Sequence, residues 1–371
     1  MKLSIKKFFF AFFLLFILIL SSIYISMQYN WFQNSTLKIG AIISLTGSGG
    51  HLYNLINSMA MAVEEINKYG GINERKIQLI IKDSKTNALE GKKAFNQIEK
   101  KSKPLFYIST LSTVSTAISP LAKQNQVILF GLAVSSQDFT KINDWTYRYY
   151  TSAQNEIPPI IFMMNKSGVK ELGILYLNDV YGSSVYEIMK DEFLKIGKIP
   201  AIENFTNETV DFRILLKSMM NLQAIYVVGF TSHLKIIIPQ LKELKYKGNI
   251  YCCSGFSSIF KNIKDTDNIF FTAPIIYKKQ YSYSQKLNEN YQKKYGLPIT
   301  HQAAIAYDLI KLIKGLIENK ELTRKNLKRL LEKGFIYPGI FGDIILQEKS
   351  RDLLFPLYPA QVVNGNIKYL W

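Results

Sequence analysis

The chain has 371 residues, 48% of them hydrophobic and 20% charged, a balance that excludes a disordered segment and points to two globular domains rather than one. Lys and Arg total 46 against 28 Asp and Glu, a formal charge of +18. The lysines are dispersed along helical stretches such as 92–103 and 235–247 instead of forming an arm interleaved with aromatics, so they read as a solvated surface and not as a nucleic-acid interface.

At the N-terminus, Lys2, Lys6 and Lys7 precede an uncharged run over residues 8–27, about long enough for a bilayer core of roughly 30 Å. This predicts a transmembrane or signal helix with a cytoplasmic tip inside residues 1–35 and everything beyond it exported. A cleaved signal is the alternative. No small-x-small site follows the run and no cysteine there could carry a lipid, which favours an uncleaved membrane anchor.

From residue 37 the pattern alternates. Residues 37–44 form a short apolar strand, 45–50 a Gly/Ser/Thr loop, and 52–69 a helix with Ile56, Met59, Ala60, Val63 and Ile66 on one face, ended by Gly70 and Gly71. Strands at 76–82, 105–109 and 127–131 alternate with helices at 88–100 and 113–124, the last expected to kink at Pro120. A second series follows Arg148. It has strands at 172–177, 199–205, 224–228 and 249–253, with helices at 182–196, 210–220 and 233–244. Helices at 281–295, 303–318 and 323–333 then return to the first half, and 342–347 with 361–371 is expected as a closing strand pair around Asn364-Gly365. This is an α/β chain with two Rossmann-like parallel-sheet lobes joined by a multi-crossing hinge. The expected boundaries are 36–148 plus about 276–338 for the first lobe, and 149–275 plus about 339–371 for the second.

Ligands of open parallel sheets sit beyond the carboxyl ends of the strands. The loops there are rich in Gly, Ser, Thr and Tyr and nearly free of acids and bases. Ser112 and Thr113 open a helix whose first amides suit an anion or an ordinary cap. Ser135 and Ser136 share that ambiguity, and Tyr181 and Phe230 could wall a ligand or simply pack. Catalytic signatures are missing. Leu52 replaces the third glycine of a dinucleotide fingerprint, and no P-loop occurs. His51, His233 and His301 lack metal spacing, so neither a metal nor a cofactor is expected. Cys252 and Cys253 are adjacent, which disfavours a disulfide and suggests buried thiols.

With these features in place, the chain from about residue 37 onward resembles the leucine/isoleucine/valine-type periplasmic binding proteins of ABC transporters. The resemblance rests on residues 39–50 (IGAIISLTGSGG), 61–72 (MAVEEINKYGGI) with Asp83 after it, the 109–115 and 127–136 loops, 179–182 (DVYG) and Ala306-Tyr307-Asp308. It implies the type I binding-protein fold and a non-catalytic protein, periplasmic or otherwise extracytoplasmic, that closes around a small polar ligand and hands it to an ABC permease. A membrane-anchored sensory or regulatory protein of the same fold is the alternative. Family roles in gripping a ligand carboxylate map to Ser112, Thr113, Ala133 and Ser135. Second-lobe aromatics map to Tyr181 and Phe230, and the first-loop aromatic falls near His51 or Tyr53. Where amino-acid binders often carry a carboxylate for the ligand ammonium, this chain has Ser254. That departure leaves an amino acid, an amide or a simple carboxylate open as ligand.

Overall fold

The computed structural model describes residues 15–24, 36–50, 52–274 and 282–370. Two sheets organise the chain. The first has the order β2-β1-β3-β4-β5, with β1 (Thr36–Ile43), β2 (Lys76–Asp83), β3 (Phe106–Thr110), β4 (Ile128–Leu132) and β5 (Thr146–Arg148) all parallel. Alternation along β1 feeds both faces: Leu37, Ile39, Ala41 and Ile43 enter one core, while Ile42 enters the other. Helix α1 (Tyr53–Lys68) covers the first face with Leu55, Met59, Ala62 and Ile66. It ends at Gly71, whose φ of +91° and approach to the Arg75 carbonyl leave no room for a Cβ. Helices α2 (Ala88–Ser102) and α3 (Ser112–Gln124) cover the other face. Pro120 lies within α3 without ending it.

The second sheet has the order β14-β13-β10-β9-β8-β6-β7. Strands β6 (Glu171–Leu177), β7 (Lys198–Phe205), β8 (Ala224–Val228), β9 (Asn249–Cys252) and β10 (Ile269–Ala273) are parallel. The hairpin of β13 (Tyr358–Val363) and β14 (Asn366–Tyr369), turning at Asn364-Gly365, adds to β10 antiparallel. Here Leu175, Ile225 and Val227 face one core and Ile174, Tyr226 and Val228 the other, flanked by α4 (Ala153–Lys166), α5 (Val180–Phe193), α6 (Arg213–Lys217) and α7 (Thr231–Glu243).

The chain then returns. Helices α8 (Ser282–Tyr295), α9 (His301–Ile317) and α10 (Arg324–Glu332) place Leu287, Tyr291, Ile305, Leu309 and Leu327 in the first core. Three passages therefore join the lobes. Two lie among the described residues, at 149–152 and 355–357, and the third falls on 275–281.

Several expectations need correction. Residues 342–347 do not pair with 361–371. Instead β12 (Gly342–Leu346) pairs with β11 (Phe335–Gly339), and Ile340, Phe341, Ile344, Leu346, Leu353 and Phe355 pack in the first core, so the chain enters the second lobe only after 355. The helix expected over 210–220 shrinks to α6. The transmembrane helix expected over residues 8–27 is also corrected. Among the described residues no helix is long and apolar enough to cross a membrane. Residues 15–24 are helical and exposed, and at 1.5 Å per residue they reach about 15 Å, half a bilayer core. The remainder of that run, 8–14 and 25–27, lies outside the described residues.

Candidate functional site

The carboxyl ends of β3, β4, β8 and β9 open onto a crevice between the lobes. On the first-lobe side it is lined by Gly49, Gly50, Leu111, Ser112, Ala133 and Ser135. The second lobe contributes Tyr181, Gly229, Phe230, Thr231 and Gly255, and Tyr150 and Gln302 close the end near the hinge. The space open to the centre of a water-sized sphere is about 60 Å³, where one water needs roughly 10–15 Å³. The crevice fits a few waters or one small molecule.

Ser112 is buried, and its Oγ accepts hydrogen bonds from the backbone N–H groups of Ser135 and Ser136 at 3.2 Å each. One hydroxyl thus ties the β3 loop to the β4 loop. Leu111 and Ala133 hold φ values of +67° and +53°, a left-handed conformation that side chains disfavour. Both strained residues face the crevice, where such strain is commonly kept for a purpose. Behind this wall Arg148, 2% exposed, donates to the Ser136 carbonyl at 2.7 Å, to Thr140 Oγ1 at 3.0 Å and to Asp352 at 2.6 Å.

The opposing wall is aromatic. Tyr181 and Phe230 stack with centroids 5.9 Å apart and planes 9° from parallel. Tyr181 follows Asp179, which caps α5 by accepting from Gly182 N–H at 2.8 Å. A Cβ at Gly182 would lie 1.9 Å from the Leu177 carbonyl, so the chain can turn from β6 into α5 only with glycine there. This accounts for DVYG as a unit. His233 Nδ1 accepts from Phe230 N–H at 3.2 Å and so helps fix that ring.

The lobes touch across the crevice. Thr113 Oγ1 donates to Asp179 Oδ2 at 3.0 Å, Ser232 Oγ to the Ser48 carbonyl at 2.8 Å, and the Gln137 amide to Ser184 Oγ at 3.2 Å. Leu111, from the first lobe, joins the second lobe's core beside Phe230. This is a closed conformation. Burial raises the Asp179 carboxyl above its usual range, opposed by the bonds from Gly182 and Thr113.

Of the residues expected at the site, Ser112, Ala133, Ser135, Tyr181 and Phe230 line one crevice. Thr113 serves as a contact between lobes. Ser254 sits behind the wall, where its N–H and Oγ both donate to Glu156 at 2.8 Å. His51 lies outside the described residues, and Tyr53 is 53% exposed. Tyr150, Gln302 and Glu156 were not anticipated. They come from the first passage, from α9 and from α4, none of which follows a strand end in the alternating pattern. The one local signal for α4 was Ser152, whose Oγ caps the helix by accepting from Asn155 N–H at 3.3 Å.

A two-lobed α/β body with a crevice at its strand ends, whose chain crosses between the lobes more than once, defines a ligand-closing binding protein. The periplasmic binding protein model matches residues 36–366, and the chain belongs to that family. It is an extracytoplasmic solute-binding protein and not an enzyme. Among solved structures, it is similar to the branched-chain amino acid transporter substrate binding protein LivJ from Streptococcus pneumoniae in complex with isoleucine, with 21% identity, a TM-score of 0.82, and coverage of 90% of this chain and 98% of that one. The leucine binding protein LivK from Thermotoga maritima has 20% identity and a TM-score of 0.81, with 91% and 98% coverage. A solute binding protein of an ABC transporter from Rhodopseudomonas palustris, in complex with 3,4-dihydroxybenzoic acid, has 18% identity and a TM-score of 0.82, with 90% and 95% coverage. At these identities the likeness speaks for the fold. A comparison with curated proteins returned no match.

Proposed function

We propose that the protein captures a small polar ligand in the crevice between its lobes and presents it, closed, to an ABC permease for uptake. The observation that carries this reading is the meeting of Ser112, Ala133 and Ser135 with Tyr181 and Phe230 around one narrow space. The moving bodies, on this reading, are 36–148 with the returning chain to 355, and 149–274 with 358–370. Ligand engages the hydroxyls and first-turn amides of the first lobe, and the second lobe then closes. Binding favours closure because only the closed form offers contacts from both walls.

The ligand classes that suit such a wall are amino acids, amides and small carboxylates. A thermal-shift screen across these classes tests the reading, since a ligand specific to the folded state raises apparent stability. With a hit in hand, Ser112→Ala and Ser135→Ala are each expected to weaken binding by about 1–3 kcal/mol in calorimetry. Ser112→Ala also strands two backbone N–H groups, so it should lower the ligand-free Tm, whereas Ser135→Ala should leave Tm nearly unchanged. Unaltered affinity in both variants would remove these residues from the site.

A further inference from the structure

Cations that are scattered along the chain converge at the pole of the first lobe opposite the crevice. There the amino ends of β1, β2 and β3 and the carboxyl end of α2 surround a surface pocket of about 310 Å³. It is lined by Lys38, Arg75, Lys103 and Arg324 together with Thr36 and Ser102, and among the described residues no acid lines it. The length of β1 separates it from the crevice by roughly 20 Å, at about 3.3 Å per residue.

The four cations are not equivalent. Arg324 is already neutralised: Nη1 and Nη2 donate to Glu99 at 2.9 Å each, and Nε and Nη1 to the carbonyls of Pro104 and Asn125 at 3.0 Å. It forms a fixed wall. Arg75 is held by its backbone instead, in a turn from Ile72 closed by reciprocal bonds of 2.9 and 3.0 Å. Its guanidinium, half-buried, donates from Nη2 to the Thr36 carbonyl at 3.1 Å, while Nε is buried without an acceptor. Among the described residues no carboxylate pairs with Arg75, not even Glu74 beside it in the chain. Lys38 adds a charge from β1, and Lys103 another from the residue after α2. The carboxyl end of α2 carries about half an elementary charge, which suits Lys103 but leaves Arg75 and Lys38 uncompensated.

We propose that this polar pocket is a second binding site, for a phosphate group. Gathered like charges repel, and an oxyanion among them removes that repulsion. The planar fork of a guanidinium matches two phosphate oxygens, and ammonium groups beside it act as point charges. Arg75 grips the group in this arrangement, with Lys38 and Lys103 supplying charge around it. The same chemistry is offered by a free phosphate and by the headgroup of an anionic phospholipid. The proposal draws only on the first lobe and is independent of what the crevice binds.

The test uses the full chain with two probes. Calorimetry with inorganic phosphate, at constant ionic strength set by chloride, is expected to show a saturable site. Arg75→Gln should weaken it at least tenfold. Lys103→Gln, at an exposed position where the fold has little at stake, should weaken it severalfold and keeps the test valid if ligand-free Tm shows that Arg75→Gln is misfolded. The second probe is vesicles of phosphatidylcholine with and without phosphatidylglycerol, read by co-sedimentation. A preference for the anionic vesicles that Lys103→Gln and Arg75→Gln reduce, and that free phosphate competes away, supports the site and marks a lipid headgroup as its source. Phosphate binding that both variants weaken, without such a preference, supports it with a free phosphate as ligand. No saturable phosphate binding together with no variant-sensitive vesicle preference overturns the proposal, as does phosphate binding that both variants leave unchanged.

Discussion

Two buried titratable groups on α9 pull stability in opposite directions with pH. Asp308 is fully buried and accepts from Tyr149 Oη at 2.5 Å, Tyr283 Oη at 3.0 Å and the Ile340 amide at 2.9 Å. Burial pushes its carboxyl from 3.8 up to about 6. The fold therefore holds a proton that the unfolded chain has already released. Its stabilising contribution is complete below about pH 4 and is lost as pH rises through about 6. His301 behaves oppositely. Burial lowers its imidazole from 6.5 to about 4, so the fold resists a proton that the unfolded chain takes up, and stability is lost as pH falls from 6.5 toward 4. Each term is worth on the order of 3 kcal/mol at full extent. Differential scanning calorimetry from pH 4 to 7 is expected to show Asp308→Asn gaining on wild type as pH rises, and His301→Gln gaining as pH falls. Parallel Tm curves for wild type and either variant would refute the corresponding assignment.

Among the elements, α3 and α5 meet tip to tip through Thr113 and Asp179. Thr113→Val preserves shape and α3 while deleting the bond, and leaves Asp179 its cap on Gly182. A hydrogen bond to a charged group contributes about 1.5–3 kcal/mol. The variant is thus expected to shift the ligand-free protein toward an open form, seen as a larger radius of gyration in small-angle scattering, and to weaken ligand binding by about tenfold or more. Unchanged scattering and affinity together would mean that the contact does not govern closure. How far such elements can be read in advance depends on their local pattern. The alternating strands and helices that carry Ser112, Ala133, Tyr181 and Phe230 were legible, because short apolar runs bounded by Gly/Ser loops have few other folds open to them. Helix α4 was not. Pro158 and Pro159 inside it remove two backbone donors and argue against a helix, so Glu156 went unseen with it. Strand β11 hides for a similar reason: Gly334, Pro338 and Gly339 read as loop, so β12, expected as a strand, was assigned the wrong partner, although its Ile344 and Leu346 bury against the first core. Ser254 illustrates a further limit, since no local pattern reveals that a residue 98 positions away in the chain will take both its protons.

For the whole molecule, the decisive feature is the layout of the passages. Each lobe has its own sheet with cores on both faces, so each can hold its shape while the other moves. The passage at 149–152 is pinned by Arg148, whose backbone bonds Arg351 and Leu353, just before the passage at 355–357, at 2.8 and 2.9 Å. Its guanidinium is meanwhile paired with Asp352. Arg148 is buried but Asp352 is 32% exposed, so removing the guanidinium leaves a carboxylate that water can reach, and the cost is that of lost charge-assisted hydrogen bonds, about 1.5–3 kcal/mol. Arg148→Met is accordingly expected to lower the unfolding free energy in urea titration by that amount and to loosen the 133–136 loop. A loss under 1 kcal/mol would show that the strut is dispensable.

The two described passages, 149–152 and 355–357, run between two rigid blocks and are tied where they begin by the bonds of Arg148 to Arg351 and Leu353, so they can bow together but cannot swivel independently. Opening should therefore follow one soft coordinate, a bend of the waist with little twist. A single distance between probes on the far rims would then chart the entire excursion, from gaping to shut.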